Sequence, residues 1–163
     1  LTIIHDPLER SYLFMAYNIA QLNIARFRKP IDHPDNEGFI SSLDRINAIA
    51  ESQRGFIWRL TGVGNSALDI QGFEDPNIAS NVSVWSDIES LSNFVYHNEG
   101  HQSIMLKRRT WFDKMEFYVV LWWVKEDHIP TLNEAIERLD SLQNNGPSEH
   151  AFGFRKPFPA PKA

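Results

Sequence analysis

From residue 17 to 25 the side chains alternate, with Asn18, Ala20, Leu22 and Ile24 on one side and Ile19, Gln21 and Asn23 on the other. A period of two predicts a strand. After a turn-rich stretch over 28–36, apolar residues recur at Phe39, Leu43, Ile46 and Ala50, the spacing of one helix face, and Gly55 is placed to end that helix. Residues 56–61 read as a second strand, 62–77 as a polar, glycine-bearing loop, and 81–85, alternating again, as a third strand. Ser86 opens the next helix, with Glu89 three positions on completing a capping box. Its apolar positions Ile88, Leu91, Phe94 and Val95 resume at Ile104, Met105 and Phe112, and Gly100 between the halves predicts a kink or short break. Residues 117–124 are apolar on both faces, which predicts a fourth strand covered on both sides. Thr131, capped against Glu134, starts a last helix that turns Ile136, Leu139 and Leu142 inward and ends at Gly146-Pro147. The aromatic and proline-bearing segment 151–161 predicts an extended arm docked on a surface.

Strand, helix, strand, strand, helix, strand is the order of an α+β ferredoxin-like βαββαβ sandwich, here with an extra C-terminal helix and arm. In that architecture the helices cover one face of an antiparallel sheet. One domain is expected over 1–163, with its core at about 17–146 and the arm at 147–163. Because neither face of the fourth strand suits water, the other sheet face is expected to pack against a second copy in a two-fold homodimer.

The 163 residues are 42% apolar and 23% charged, which supplies a full hydrophobic core and excludes disorder and coiled-coil rods. Acidic residues outnumber basic ones, 21 to 16, so no general positive field draws nucleic acid or anionic lipid, and neither is expected as a partner. Without cysteine there is no disulfide framework, thiolate nucleophile or cysteine zinc site, and a cytoplasmic address fits. No window approaches the roughly 18 uninterrupted apolar residues of a membrane helix, and residues 1–4 are too short for a signal peptide's apolar core. A chain that opens on Leu1 is expected to begin at a processing boundary.

At 100° per residue, His101 and Arg108 fall in the buried stripe defined by Leu91, Phe94, Met105 and Phe112, so both are expected to face the sheet. A buried guanidinium keeps its charge and needs an internal acid such as Asp44, a set of carbonyls or an anionic ligand. His101 has the chemistry of an acid, a base or a haem ligand. The spacing His97-x-x-x-His101 matches a two-histidine metal site, yet no motif fixes a third ligand and no metal is expected. Gln21 and Asn23 share a strand face, where amides either bridge a dimer or orient a ligand. Trp58, Trp85 and Trp111, like Trp122 and Trp123, offer large apolar surfaces with one N–H each; most are core, and one or two would wall a flat ligand. Gly62-Val-Gly64 lacks the third glycine of a nucleotide fingerprint and reads as a turn.

The segments Ala20-Gln-Leu-Asn-Ile-Ala-Arg26, Gly55-Phe-Ile-Trp-Arg-Leu60, Ser83-Val-Trp85, Phe94-Val-Tyr96, Lys107-Arg-Arg-Thr-Trp-Phe112 and Leu121-Trp-Trp123, with the arm over 152–161, resemble an uncharacterised family, domain of unknown function 3291. That family is assigned to the dimeric α/β-barrel superfamily, and the resemblance spans roughly residues 17–161. It implies the fold and a homodimer but no established activity. The wider superfamily includes antibiotic-biosynthesis monooxygenases and haem-degrading monooxygenases. The haem-degrading pattern is an asparagine on strand one, a tryptophan on strand three and a histidine on the next helix; Asn23 or Asn18, Trp85, and His101 or His97 stand on comparable elements. Polar, ionisable residues on an otherwise apolar inner stripe point to a small-molecule enzyme with a pocket between the second helix and the sheet, and within the superfamily the resemblance favours cofactor-independent oxygenation of an aromatic or polyketide-like substrate. His101 would be its acid or base, and Arg108 with Asn23 would position oxygen atoms. Gln21, Trp58, Trp85, His97, Met105, Trp111 and Phe112 complete the expected binding set. The alternatives are a haem-binding or haem-degrading protein with His97 or His101 as axial ligand, and a non-catalytic dimeric ligand-binding or structural module.

Overall fold

Strand β1 (Tyr17–Arg26) lies inside a four-stranded antiparallel sheet of order β2-β3-β1-β4, in the computed structural model that describes residues 16–162. Its neighbours are β3 (Ile78–Trp85) and β4 (Val119–Lys125), and β2 (Phe56–Arg59) forms one edge. This is the ferredoxin-like arrangement. On one side of β1 the register runs Ile19↔Trp85, Gln21↔Ser83 and Asn23↔Asn81, and on the other Ile19↔Trp123, Gln21↔Leu121 and Asn23↔Val119.

The alternation along β1 sends its two faces into different cores. Ile19, Trp85 and Leu121 pack with Ala50 of α2 (Leu43–Glu51), with Leu91 and Phe94 of α3 (Ile88–His97), and with Phe152 of the arm. Ala20, Leu22 and Ile24 join Val82, Val84, Val120, Trp122 and Val124 against Ala135, Leu139 and Leu142 of α6 (Leu132–Asn145). The face expected to await a second copy is therefore filled within the chain. Ala20, Leu22, Val120 and Trp122 are fully enclosed, and the Trp122 indole N–H donates to Glu134 at 2.9 Å. The apolar demand that pointed to a sheet-face dimer is met by α6.

The long second helix is three shorter ones: α3, α4 (Glu99–Met105) and α5 (Arg108–Trp111). The first break falls at Asn98 (φ −76°, ψ 118°), whose side chain accepts from the His101 N–H at 3.1 Å and so caps α4. Gly100, expected at the break, lies within α4. A Cβ there would stand 2.6 Å from Ile49 Cδ1, so the missing side chain lets α4 approach α2. The second break lies at Leu106–Lys107. Asp87, not Ser86, caps α3: its carboxylate accepts from the Ser90 N–H at 2.7 Å, and Ser86 Oγ donates to it at 2.7 Å. That hydroxyl is the main reason the Asp87 carboxyl sits below the usual carboxylate range.

The first helical stretch also divides, into α1 (Glu37–Ile40) and α2. Thr131 caps α6 as its spacing predicts, and Gly146, at φ 73°, ends it. The arm docks on β4, where Phe152 exchanges backbone hydrogen bonds with Leu121 and the Phe158 carbonyl accepts from the Trp123 indole at 2.9 Å. No helix among the described residues is long and apolar enough to cross a membrane.

Candidate active site

Register sets Gln21 opposite Ser83 on the face that α3 covers. Polar side chains there need partners. Gln21 Nε2 donates to Ser83 Oγ at 3.3 Å, and the Trp85 indole N–H donates to the same oxygen at 3.0 Å. One hydroxyl thus satisfies two buried donors and fixes the Trp85 ring. That ring stacks on Phe94 (centroids 5.4 Å apart, 24° between planes) and meets Phe56 edge-on at 5.3 Å. Phe94 in turn contacts the His101 ring at 4.8 Å. A continuous path runs from Gln21 through Ser83, Trp85 and Phe94 to an imidazole.

Because Asn98 restarts the helix, His101 is turned back over the end of α3, with its Nδ1 3.0 Å from the Val95 carbonyl oxygen. A carbonyl only accepts, so the ring proton is assigned to Nδ1, and the Nε2 lone pair meets no donor among the described residues. The same oxygen accepts from Gln102 Nε2 at 2.8 Å. Burial pushes the His101 pKa below its ordinary 6.5, and the Val95 bond opposes that only in part. At neutral pH His101 is an uncharged base with an available nitrogen.

The lowered value couples this site to stability. As pH falls below 6.5, the unfolded chain binds the proton before the folded one does. The His101 contribution is therefore complete above 6.5, declines as pH drops toward the folded pKa, and levels off below it. Urea unfolding of wild type and His101→Gln across this range should show a pH-dependent difference whose slope disappears at neutral pH. A constant difference would contradict the buried, neutral ring.

The other expected residues are dispersed. Arg108 opens α5 beyond two helix breaks and is exposed, because each break resets the 100° projection that placed it inward. Asp44, its proposed partner, accepts instead from Asn65 Nδ2 at 3.0 Å. His97 is exposed at the end of α3, and the extended Asn98 prevents it from sharing a helix face with His101. Among the described residues no group of three metal-binding side chains gathers. Asn23 is half-buried beside Gln21, across from exposed Asn81. Met105 is half-buried at the end of α4. Trp58 packs on the opposite sheet face with the α6 cluster. Trp111 and Phe112 join Phe27 and Phe39 beyond the far end of β1. Of the residues singled out from sequence, Gln21, Trp85 and His101 are brought together.

Sequence reasoning passed over Ser83, the Val95 carbonyl and Arg59. The last is a charged residue inside the apolar run 56–60, and that position was its available signal. Only 7% exposed, Arg59 donates to Glu51 at 2.8 Å, to the Asn65 carbonyl at 2.7 Å and to Asn65 Oδ1 at 2.6 Å. Two hollows of about 360 and 330 Å³ open elsewhere, one beside Arg54 and Asp87 and one beside Arg28 and Trp111; His101 lines neither.

Residues 18–163 match the model of the family described as domain of unknown function (DUF3291). The chain belongs to that family. No curated protein matches this DUF3291 chain. Solved structures similar to it include a protein of unknown function from Nitrosomonas europaea, at 10% identity and TM-score 0.46 over 72% of this chain and 96% of that one. A conserved protein from Methanosarcina mazei Go1 shows 15% identity and TM-score 0.48 over 69% and 95%. SnoaB, a cofactor-independent oxygenase from Streptomyces nogalater, shows 16% identity and TM-score 0.44 over 72% and 98%.

Proposed function

We propose that this chain is a small-molecule enzyme in which His101 acts as general base, and that the reaction is cofactor-independent oxygenation of an electron-rich aromatic or polyketide-like compound. The supporting observation is the Val95 carbonyl oxygen 3.0 Å from His101 Nδ1, which assigns the ring proton to Nδ1 and leaves Nε2 with no partner among the described residues, while burial disfavours the charged ring. Nε2 would take a proton from an acidic C–H or phenol. The resulting carbanion would transfer electrons to molecular oxygen; for an anthrone, the CH₂ becomes a second carbonyl and the other oxygen atom leaves as water. Gln21 and Asn23 would orient the substrate's oxygen atoms. Arg108 has no part in this reading, and neither does a second copy on the face that α6 fills.

Oxygen consumption with a panel of hydroxyanthrones and cyclic 1,3-diketones tests it. His101→Ala and His101→Gln should each lower kcat by roughly 10²- to 10⁴-fold with the fold intact. Folded variants with undiminished turnover would remove His101 from the chemistry.

A second reading, haem binding, is favoured by the same ring, since an imidazole whose Nδ1–H is held by a carbonyl presents Nε2 as a metal ligand. His101 would hold the iron through Nε2, and neither of the two hollows described above borders it. Adding haemin separates the readings: an unchanged Soret band eliminates this one.

A further inference from the structure

Arg138, midway along α6, is half-buried and short of partners. Its Nε is one of two buried side-chain atoms among the described residues that reach no hydrogen-bond partner, the other being Ser80 Oγ. Glu134 and Glu137 stand 3.8 Å from its Nη2 and Nε, beyond hydrogen-bond reach. What Arg138 does hold is His150, at the base of the arm. Its Nη1 donates to the His150 carbonyl oxygen at 2.9 Å and to the ring Nδ1 at 2.6 Å.

That contact determines where the His150 proton sits. A guanidinium only donates and keeps its charge, so Nδ1 must offer its lone pair. The ring proton is then assigned to Nε2, which donates to Glu137 Oε1 at 3.0 Å. The charged groups facing the ring are thus Arg138 and Glu137, both from α6; Glu134 lies one step further, beyond Arg138, and Glu149 precedes His150 in the chain.

A second proton on this ring has only Nδ1 to occupy. There it points at the Arg138 N–H, setting two donors and two like charges 2.6 Å apart. Glu137 offsets this only weakly, because its side chain is 61% exposed and solvent screens the pair, whereas that of Arg138 is 21% exposed. A protonated His150 therefore swings away from Arg138, and a guanidinium already missing one partner loses another.

The two residues that follow, Ala151 and Phe152, are fully buried. Phe152 exchanges backbone hydrogen bonds with Leu121 and so covers the outer edge of β4, which would otherwise present unpaired backbone groups. Further along, the Trp123 indole holds the arm at the Phe158 carbonyl. The titratable contact thus stands immediately before the segment that closes the sheet edge.

We propose that the Arg138–His150 contact is an acid-released latch on the C-terminal arm: neutral His150 holds the arm over β4, and its protonation at Nδ1 loosens the arm and uncovers that edge. The latch stands independently of any role for His101.

Hydrogen exchange of the whole chain tests it, with the amides over residues 151–158 compared with those of β1 at about pH 7.5 and about pH 5.5, after allowance for the pH dependence of exchange itself. Acidification should lower protection of the arm about tenfold more than that of β1. His150→Gln, which takes up no proton, should abolish this difference. His128→Gln, which removes the histidine paired with Glu134, should keep it. Should His150→Gln disturb the fold, Arg138→Gln gives the same reading, because without the cation a protonated His150 meets no like charge. Arm protection in the wild type that follows β1 at both pH values, or a difference that survives undiminished in His150→Gln or Arg138→Gln, would overturn the proposal.

Discussion

Trp122→Ala is expected to lower the free energy of unfolding by roughly 3–5 kcal/mol, the range for deleting a large buried aromatic side chain. Trp122 is fully enclosed between the sheet and α6. Its N–H is also the direct polar link from sheet to helix, through Glu134 Oε1 at 2.9 Å, while Oε2 of the same carboxylate meets His128 at 2.7 Å. Truncation opens a cavity beneath Ala135 and Leu139 and removes the donor that holds Glu134 in place. Set against a stability of about 5–15 kcal/mol for an ordinary domain, the loss is large enough to leave much of the protein unfolded at elevated temperature. Urea denaturation measures it directly, and Trp122→Phe, which keeps most of the apolar area, should lose substantially less. A change below about 1 kcal/mol for Trp122→Ala would mean that α6 does not cover this sheet as described.

The second large effect is expected at Arg59. Its guanidinium is buried, and it ties α2 to the long connection between β2 and β3 through Glu51 and both oxygens of Asn65. Asn47 of α2 adds a bond to the same Asn65 carbonyl at 3.1 Å. Arg59→Ala removes three charge-assisted hydrogen bonds and the packing of the side chain, for an expected cost of roughly 3 kcal/mol. Hydrogen exchange should locate the damage, with amides over residues 62–70 losing protection while those of β1 and β4 keep theirs. Glu51→Gln should cost well under 1 kcal/mol, because the Glu51 side chain is 47% exposed and a solvated partner contributes little. Equal losses for the two variants would show that the ion pair, rather than the Asn65 bonds, pins the connection.

How far each element was legible depends on the range of the force behind it. The alternation of β1 and β3, the Thr131 cap and the docked arm follow from local periodicity and local hydrogen bonding, and the structure has all of them. The two apolar faces of β4 also announced that both would be covered. They could not say by what, because α6 and a second copy satisfy the same burial. The helix break is a closer contest. A glycine inside a helix costs only about 1 kcal/mol relative to alanine, which packing against Ile49 outweighs at Gly100. At Asn98 the side chain itself replaces a backbone partner, and the helix stops there.

The candidate site divides in the same way. Gln21, Trp85 and His101 were legible because a polar residue at an inward position of a strand or helix needs an explanation wherever it occurs. Ser83 acquires meaning only through the β1–β3 register, and the Val95 carbonyl only through the reversal at Asn98. Arg108 illustrates the limit: a helical projection loses its phase at every break, and two breaks precede that residue.

Long-range proton–nitrogen NMR of the His101 ring, followed through a titration from about pH 5 to 8, tests the central claim most directly. The expected result is a proton on Nδ1 with bare Nε2 at neutral pH, and a midpoint below the ordinary histidine value of 6.5. A proton on Nε2, or a midpoint at or above 6.5, would contradict it.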